Sequence, residues 1–162
     1  MTDAATTANP IPKWLLQAFS RAHVWLNRLT AGRAFNTLAG RAVCFVTMTG
    51  ARSGRRLTIP LMHVPHDRGF LLVASMGGAP RHPVWYHNIV AHPTVEIRYR
   101  GTRVQCRARL ADPEEKPALW PVCDAHYPPY AEYRARTERD IPIFICATTT
   151  PGSTAKSPPT GS

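Results

Sequence analysis

Runs of apolar residues between positions 42 and 147 predict about six β-strands. The run Leu57–Val64 contains Pro60, which cannot donate a hydrogen bond to a neighbouring strand, so we expect an edge strand or a bulge there. Residues 65–69 then predict a hairpin turn. Three further runs are almost continuously apolar, as in buried strands, and they cover Ala42–Met48, Phe70–Ala74 and Ile141–Ala147.

Two more stretches, Thr94–Arg100 and Thr102–Leu110, alternate apolar and polar residues and predict strands joined by a turn. The apolar positions of the second stretch predict an inward face made of Val104, Cys106, Ala108 and Leu110. The opposite face is arginine-rich and carries Arg98, Arg100, Arg103, Arg107 and Arg109. We interpret it as a solvated face. A basic nucleic-acid-binding barrel is the weaker alternative, because the aromatic residues that single-strand nucleic-acid binders use for stacking are missing.

The N-terminal apolar residues recur at helical spacing from Trp14 to Leu29, and basic residues occupy the other face. This pattern predicts an amphipathic helix over residues 11–32, after a disordered tail at residues 1–10. Packing on the rest of the protein is the first interpretation. The alternative is binding at a membrane surface through residues 13–29, with Trp and Arg as interface anchors.

Three shorter helices are predicted in the connections between strands. The first covers Val84–Ala91, and the last runs from Tyr127 to about Glu138. Asp112–Glu115 has the residue types of a helix start, and Pro117 and Pro121 predict that this second helix is short or broken.

This order of elements predicts a mainly β fold with inserted helices. The hairpins favour a small barrel over residues 38–148 rather than a doubly wound sheet. A chain of 162 residues is long enough for one such domain. Residues 149–162 are rich in Thr, Ser, Pro and Gly and predict a flexible tail.

The formal net charge is +10, and residues 1–66 hold eight Lys and Arg against one acid. This predicts an anionic partner, which is a nucleic acid, a membrane surface or a phosphorylated or carboxylated ligand. Four cysteines without C-x-x-C pairing predict a reducing compartment. No apolar run approaches the roughly 20 residues of a membrane span, and the N-terminus lacks signal-peptide features. We therefore expect a cytoplasmic protein, with peripheral binding to the inner face of the plasma membrane as an open alternative.

The stretch Ser75–Asn88 follows a predicted buried strand and precedes a predicted helix. Gly77 and Gly78 permit backbone conformations that other residues avoid and allow a ligand to approach the main chain closely. A strand, a glycine turn and a helix start together can hold an anion with backbone donors. An ordinary tight turn between a strand and a helix explains the same residues equally well.

The loop Thr49–Arg56 combines glycines, a serine and arginines, which together can bind a phosphate, although the order of a P-loop is missing. A basic hairpin turn is the alternative. Three tyrosines recur every three residues, at Tyr127, Tyr130 and Tyr133. This spacing predicts either packing at the edge of the core or the wall of a pocket for a flat ring.

Metal and triad chemistry are not expected. The histidines His82, His87 and His92 lie five apart, so they do not share one helix face, and no carboxylate or cysteine cluster joins them. No nucleophile elbow or Ser-His-Asp order occurs either.

Taken together, these segments resemble the deazaflavin-dependent nitroreductase family of actinobacteria. The matching segments occur in the family's order and are Thr47–Gly54, Thr58–Leu61, Val73–Pro80, His82–Asn88, Tyr127–Tyr133 and Thr137–Pro142. The resemblance implies a split β-barrel similar to that of oxidoreductases that bind flavin mononucleotide. It also implies a hydride transfer to a quinone, a nitroaromatic or an enone.

The resemblance implies coenzyme F-420 as the cofactor, with flavin mononucleotide as the runner-up. Coenzyme F-420 carries a phosphodiester and a polyglutamate tail, with which a basic mouth is consistent. In the family, the loop that matches Ala51, Arg52, Ser53 and Gly54 contacts the anionic part. Other cofactor-side positions are matched by Pro60, Leu61, Val73, Ala74, Met76, Gly77, Gly78, Pro80, Trp85 and Asn88.

On the substrate side, the resemblance implies Ser75, Tyr127, Tyr130 and Tyr133. Our hypothesis is that Ser75 and Tyr130 donate hydrogen bonds to the accepting oxygen. The alternative function is a binding module of the same fold, which holds a flavin-like cofactor or a lipid without turnover. A homodimer is compatible with either function.

The chain departs from the family pattern at two positions. Met76 stands where the family often has lysine, and Leu57 stands where it often has arginine. Arg55 and Arg56 precede Leu57 and are in a position to substitute for that arginine.

Overall fold

A computed structural model describes residues 37–38, 41–67 and 69–149 of the chain. The strands in this part are β1 (Thr37–Leu38), β2 (Arg41–Thr49), β3 (Arg56–Met62), β4 (Val64–His66), β5 (Gly69–Val73), β6 (Thr94–Tyr99), β7 (Thr102–Leu110) and β8 (Ile143–Thr148). The helices are α1 (Val84–Ala91), α2 (Lys116–His126) and α3 (Pro129–Ala135), and a 3-10 turn covers Met76–Gly78.

The strands form one sheet in the order β1-β2-β6-β7-β8-β5-β4, and β3 pairs with β2. Every pairing in the described part is antiparallel. This confirms a mainly β fold with inserted helices. Because neighbours run in opposite directions, β2, β5 and β7 end where β3, β6 and β8 begin. We call this edge of the sheet the loop end.

The sheet is packed on both faces, because successive side chains of a strand point to opposite sides. Leu72 of β5 and Phe144 of β8 belong to the barrel interior, together with Ile89 of α1. Their neighbours Leu71 and Ile143 belong to a second core, which is covered by α2 and α3. The four cysteines are unpaired and buried.

The predicted strand Leu57–Val64 is in fact two strands. β3 follows β2 as far as the pair Val43–Met62, and after His63 the chain changes partner, so that Val64 pairs with Leu71 of β5. The prediction that residues 65–69 form a turn is therefore wrong at Pro65, which lies in β4 opposite Phe70. A proline is tolerated there because β4 lies at the edge of the sheet.

The inward face predicted for β7 is also wrong at one position. Cys106 and Ala108 are buried, but Leu110 is 40% exposed. Leu110 is the last residue of β7, and it pairs with Phe144 at the loop end, where it borders a cavity instead of the core. Alternation predicts the direction of a side chain, but it does not predict where the covering layer ends.

The helix boundaries differ from the prediction for a local reason. The turn at 112–115 is closed by Glu115, whose carboxylate accepts the N–H of Asp112 at 2.8 Å and pairs with Arg109 at 2.7 Å. Helix α2 therefore begins only at Lys116 and runs for 11 residues without a break at Pro121. That proline removes one hydrogen bond, and the neighbouring turns retain theirs. Helix α3 is likewise shorter than predicted.

Candidate active site

The basic loop between β2 and β3 is a closed hairpin at the loop end. The N–H of Gly50 donates to the carbonyl of Arg55 at 2.9 Å, and the N–H of Gly54 donates to the carbonyl of Gly50 at 2.9 Å. The N–H of Ala51 donates to Oδ1 of Asn88 at 2.9 Å. Asn88 belongs to α1 and is only 6% exposed, so a buried amide anchors the basic loop to this helix.

The loop presents its cations to solvent. Arg52 and Arg55 are exposed, and neither forms an ion pair with a residue that the structure describes. Ser53 is also exposed and accepts the N–H of Arg55 at 3.3 Å. The next arginine, Arg56, forms an ion pair, with its Nη2 atom 3.9 Å from Oε2 of Glu96. Two guanidinium groups are thus available for an anionic ligand.

The glycine turn after β5 has an unusual backbone. The φ angles of Met76, Gly77 and Gly78 are 47°, 66° and 79°, which lie in the left-handed region. A Cβ placed on Gly78 would lie 2.6 Å from the carbonyl oxygen of Tyr133. Only glycine fits this position without movement of the neighbouring backbone, and the glycine turn therefore packs directly against α3.

The three tyrosines form one cluster next to this turn. Their ring centroids lie 4.9 to 6.3 Å apart, and the hydroxyls of Tyr127 and Tyr133 are 3.1 Å apart. Burial and the bond to Tyr127 raise the pKa of Tyr133 to about 12. Burial also raises the pKa of Tyr130, which is only 4% exposed and packs in the second core. Both phenols therefore stay protonated at neutral pH, and each O–H can donate a hydrogen bond.

Two buried hydroxyls at this site make no hydrogen bond to any residue that the structure describes. Ser75 is 8% exposed, and neither its Oγ nor the Oη of Tyr130 makes a hydrogen bond to a residue in the described part of the chain. Most buried polar groups in proteins are hydrogen-bonded, and an unpaired one costs roughly 1–3 kcal/mol. These two hydroxyls are therefore candidates for bonds to a ligand.

The sequence-based prediction missed Arg139, whose guanidinium contacts the same loop at five points. Nε donates to the carbonyl of Ala79 and Nη2 to that of Ser75, both at 3.0 Å. Nη1 and Nη2 each lie 3.3 Å from the carbonyl of Ala74, and Nη1 lies 2.9 Å from Nδ1 of His82. Arg139 belongs to a matching segment, but among 17 arginines its type alone gave no signal.

His82 was considered only as a metal ligand, and the structure gives it another contact. Burial, and secondarily the Arg139 guanidinium and His87, lower the pKa of His82. A neutral imidazole can accept the Arg139 N–H, and its ring stacks on Tyr86 with centroids 4.2 Å apart. Among the described residues, no three His, Cys, Asp or Glu side chains are grouped as a metal site.

The remaining candidates lie in β3, in β5, in the loop that follows β5 and in α1. Pro60 and Leu61 belong to β3, opposite Phe45 and Cys44 of β2. The other four are the buried residues Val73 and Ala74, the exposed Pro80, and Trp85, whose ring lies 5.9 Å from that of Phe144.

The structure thus joins part of the candidates into two contact groups. One consists of the basic loop and Asn88, and the other of the glycine turn, the tyrosines and Arg139. The segment 74–91 connects them, because it contributes to both. Three cavities of about 370, 230 and 200 Å³ are lined by other residues, and none of these three is lined by any of the 18 candidates.

The predicted surface helix at residues 13–29 lies outside the described residues. Within the described ranges, none of the helices has the length and apolar content to cross a membrane.

Comparison with known proteins gives consistent matches. A family model described as F420H2-dependent quinone reductase matches residues 19–148. An F420H2-dependent quinone reductase of Mycobacterium tuberculosis is 33% identical over 129 residues, which are 77% of this chain and 87% of that protein.

Two solved structures also resemble the chain. A structure described as an F420-H2 dependent reductase is 41% identical with a TM-score of 0.61, and the match covers 64% of this chain and 92% of that one. A structure described as a domain-swapped dimer is 34% identical with a TM-score of 0.64, and the match covers 82% and 96% of the two chains.

Proposed function

Since the chain belongs to the F420H2-dependent quinone reductase family, a family of oxidoreductases, we propose that it transfers a hydride from reduced coenzyme F-420 to a quinone. The observation that carries this proposal is the contact of Gly78 with the carbonyl of Tyr133. It brings together two segments far apart in the sequence, one proposed for the cofactor and the other for the acceptor.

The described residues fit an anionic deazaflavin. Arg52 and Arg55 form no ion pair with a described residue, and they offer exposed guanidinium groups for its phosphodiester and carboxylates. A Cβ on Gly77 would meet nothing within 4 Å, so the backbone of the glycine turn is open to a flat ring. We therefore propose that residues 51–54 hold the anionic part. The ring side would consist of Pro60, Leu61, Val73, Ala74, Met76, Gly77, Gly78, Pro80, Trp85 and Asn88.

The bound cofactor supplies the hydride, so the protein needs no general base in the manner of a hydrolase. Its side chains orient the acceptor and stabilise the negative charge that develops on the accepting oxygen. Ser75 and Tyr130 offer hydroxyls for this purpose, because neither hydroxyl is bonded within the described part of the chain. The hydroxyls of Tyr127 and Tyr133 are hydrogen-bonded to each other, and these two rings would form the wall of the acceptor site.

A titration with oxidised cofactor tests the binding half of this proposal. We expect saturable binding of coenzyme F-420 and weaker binding of flavin mononucleotide, because the latter lacks the polyglutamate that the basic loop would contact. The affinity for coenzyme F-420 should fall as the salt concentration rises. Tighter binding of flavin mononucleotide would contradict the assignment of the cofactor.

Met76 gives a gain-of-function prediction. Its side chain is 46% exposed and stands where the family often has a lysine. Met76→Lys should tighten the binding of oxidised coenzyme F-420 by about three- to tenfold at low salt, the size of one exposed charge contact of roughly 1 kcal/mol. Both residues carry a Cβ, so the backbone at φ 47° is equally strained.

The control for this prediction is Met76→Leu, which keeps the size and removes no charge. Its affinity should equal that of the wild type at every salt concentration. If Met76→Lys binds no tighter than Met76→Leu at low salt, then position 76 does not face the anionic cofactor.

The exposed Met76 also favours the second candidate function, a binding module that holds a flavin-like cofactor or a lipid without turnover. Without a cation at this position, less charge is available to hold the reduced cofactor during reaction. If the protein binds reduced coenzyme F-420 but an acceptor does not reoxidise it, this second function is the correct one.

A further inference from the structure

The loop from Ala74 to His82 has a backbone that needs external support. Its left-handed conformation at Met76 is unfavourable for a residue with a Cβ. The described backbone hydrogen bonds inside the loop are two short-range ones, from the N–H of Gly78 to the carbonyl of Ser75 and from that of Ala79 to Met76. Bonds of this range close a turn, and the described backbone bond that ties the loop to the sheet region holds only its first residue, from the N–H of Ala74 to the carbonyl of Pro142 at 2.9 Å.

Arg139 supplies this support from a different part of the chain. It lies between α3 and β8, at least 57 residues away in sequence from every atom of the loop that it contacts. The carbonyl groups of Ala74, Ser75 and Ala79 converge on its guanidinium from three directions. In the described part of the chain Arg139 has no ion pair, so these carbonyls and His82 are its acceptors.

We propose that Arg139 is a positioning residue, which holds the Ser75–Gly78 backbone in the conformation that receives the deazaflavin ring. Arg139 also bonds His82, whose ring stacks on Tyr86 of α1, and α1 anchors the basic loop through Asn88. One guanidinium thus connects the two contact groups of the site. The cofactor part rests on the proposed function, whereas the effect on the loop does not.

Lysine cannot reproduce these contacts. A guanidinium directs five N–H donors in a rigid planar fork, whereas an ammonium group is a single centre with three donors. Arg139→Lys therefore retains the charge and loses the simultaneous contacts to the four acceptors. The substitution separates geometry from electrostatics.

Arg134→Lys is the matched control. Arg134 is also partly buried, and its guanidinium is bidentate to Asp124 at 2.9 and 2.7 Å and lies 4.0 Å from the Trp120 ring centroid. These contacts join α2 and α3 and do not involve the loop from Ala74 to His82. A general loss of packing would affect both variants, whereas a loss of loop position would affect only Arg139→Lys.

Amide hydrogen exchange of the cofactor-free full chain is the first readout. We expect Arg139→Lys to accelerate exchange in residues 74–82 at least tenfold, while Arg134→Lys leaves that loop unchanged. His82→Ala removes one of the five contacts and should have a smaller effect in the same direction, and it decides the matter if Arg139→Lys does not fold. Unchanged exchange in the loop overturns the proposal, whether or not the protein binds a deazaflavin.

The affinity for oxidised coenzyme F-420 is the second readout. We expect its Kd to rise at least tenfold in Arg139→Lys and to stay unchanged in Arg134→Lys, at a temperature where both variants are folded. Faster loop exchange with an unchanged Kd overturns the link between the loop and the cofactor. If the wild type binds no coenzyme F-420, the proposed function fails, and the exchange experiment still tests the role of Arg139.

Discussion

Gly78→Ala is expected to destabilise the protein by about 3 kcal/mol and to abolish cofactor binding. An L-residue in the left-handed region costs about 1–2 kcal/mol, and overpacking against a rigid neighbour adds about 1–3 kcal/mol. The added Cβ would lie 2.6 Å from the carbonyl oxygen of Tyr133, which is backbone and cannot rotate away. The glycine turn and α3 must therefore separate. Thermal unfolding and a cofactor titration measure both effects.

Gly77→Ala provides a control one residue away. Gly77 has a similar φ of 66°, but a Cβ there would meet nothing within 4 Å. Its cost is therefore the backbone strain alone, about 1–2 kcal/mol. Equal destabilisation by the two substitutions would mean that the contact between the glycine turn and α3 is not tight, and the site geometry would then be wrong.

Removal of the Ser75 and Tyr130 hydroxyls, which no described residue bonds, is expected to lower kcat without lowering stability. Loss of a donor that stabilises a developing negative charge typically reduces kcat by about 10²- to 10³-fold. We expect a decrease near the lower end for Ser75→Ala and for Tyr130→Phe, because each can compensate in part for the other. Neither hydroxyl has a partner in the described part of the chain, so its removal should leave the melting temperature unchanged or slightly higher.

Tyr99→Phe is the control for the loss of a phenol. Tyr99 ends β6 at the edge opposite the loop end, where its ring stacks on His63 with centroids 3.6 Å apart. This variant should keep the wild-type kcat and Kd. If Tyr130→Phe and Ser75→Ala also retain wild-type kcat, the two hydroxyls do not contact the acceptor, and their proposed role is wrong.

The main elements of the fold could be predicted from local patterns. Alternation and apolar runs located the strands β2, β5, β6, β7 and β8 within one or two residues. The patterns failed where tertiary pairing decides the outcome. The split at His63 arises because β3 leaves β2 and β4 joins β5, and no residue near His63 signals this change of partner.

The site was predictable to a different extent. Residue types and spacing selected the glycine turn, the basic loop and the tyrosines, and the family resemblance added their roles. The structure brings them together in two contact groups. The resemblance did not select Arg139, because its importance depends on three carbonyl groups that face one point. Carbonyl directions follow from backbone conformation and have no counterpart in residue type. For the same reason, the sequence could not show which buried hydroxyls have no hydrogen-bond partner among the described residues.

The most direct test of the account is whether the full chain catalyses the reoxidation of reduced coenzyme F-420 by menadione. We predict that the rate of cofactor oxidation rises with protein concentration and saturates with menadione concentration. The amount of cofactor oxidised should equal the amount of menadione reduced. Turnover should be absent in Gly78→Ala and retained in Tyr99→Phe. Saturable binding of the cofactor without any reoxidation above the protein-free rate would contradict the account and would establish the chain as a binding module.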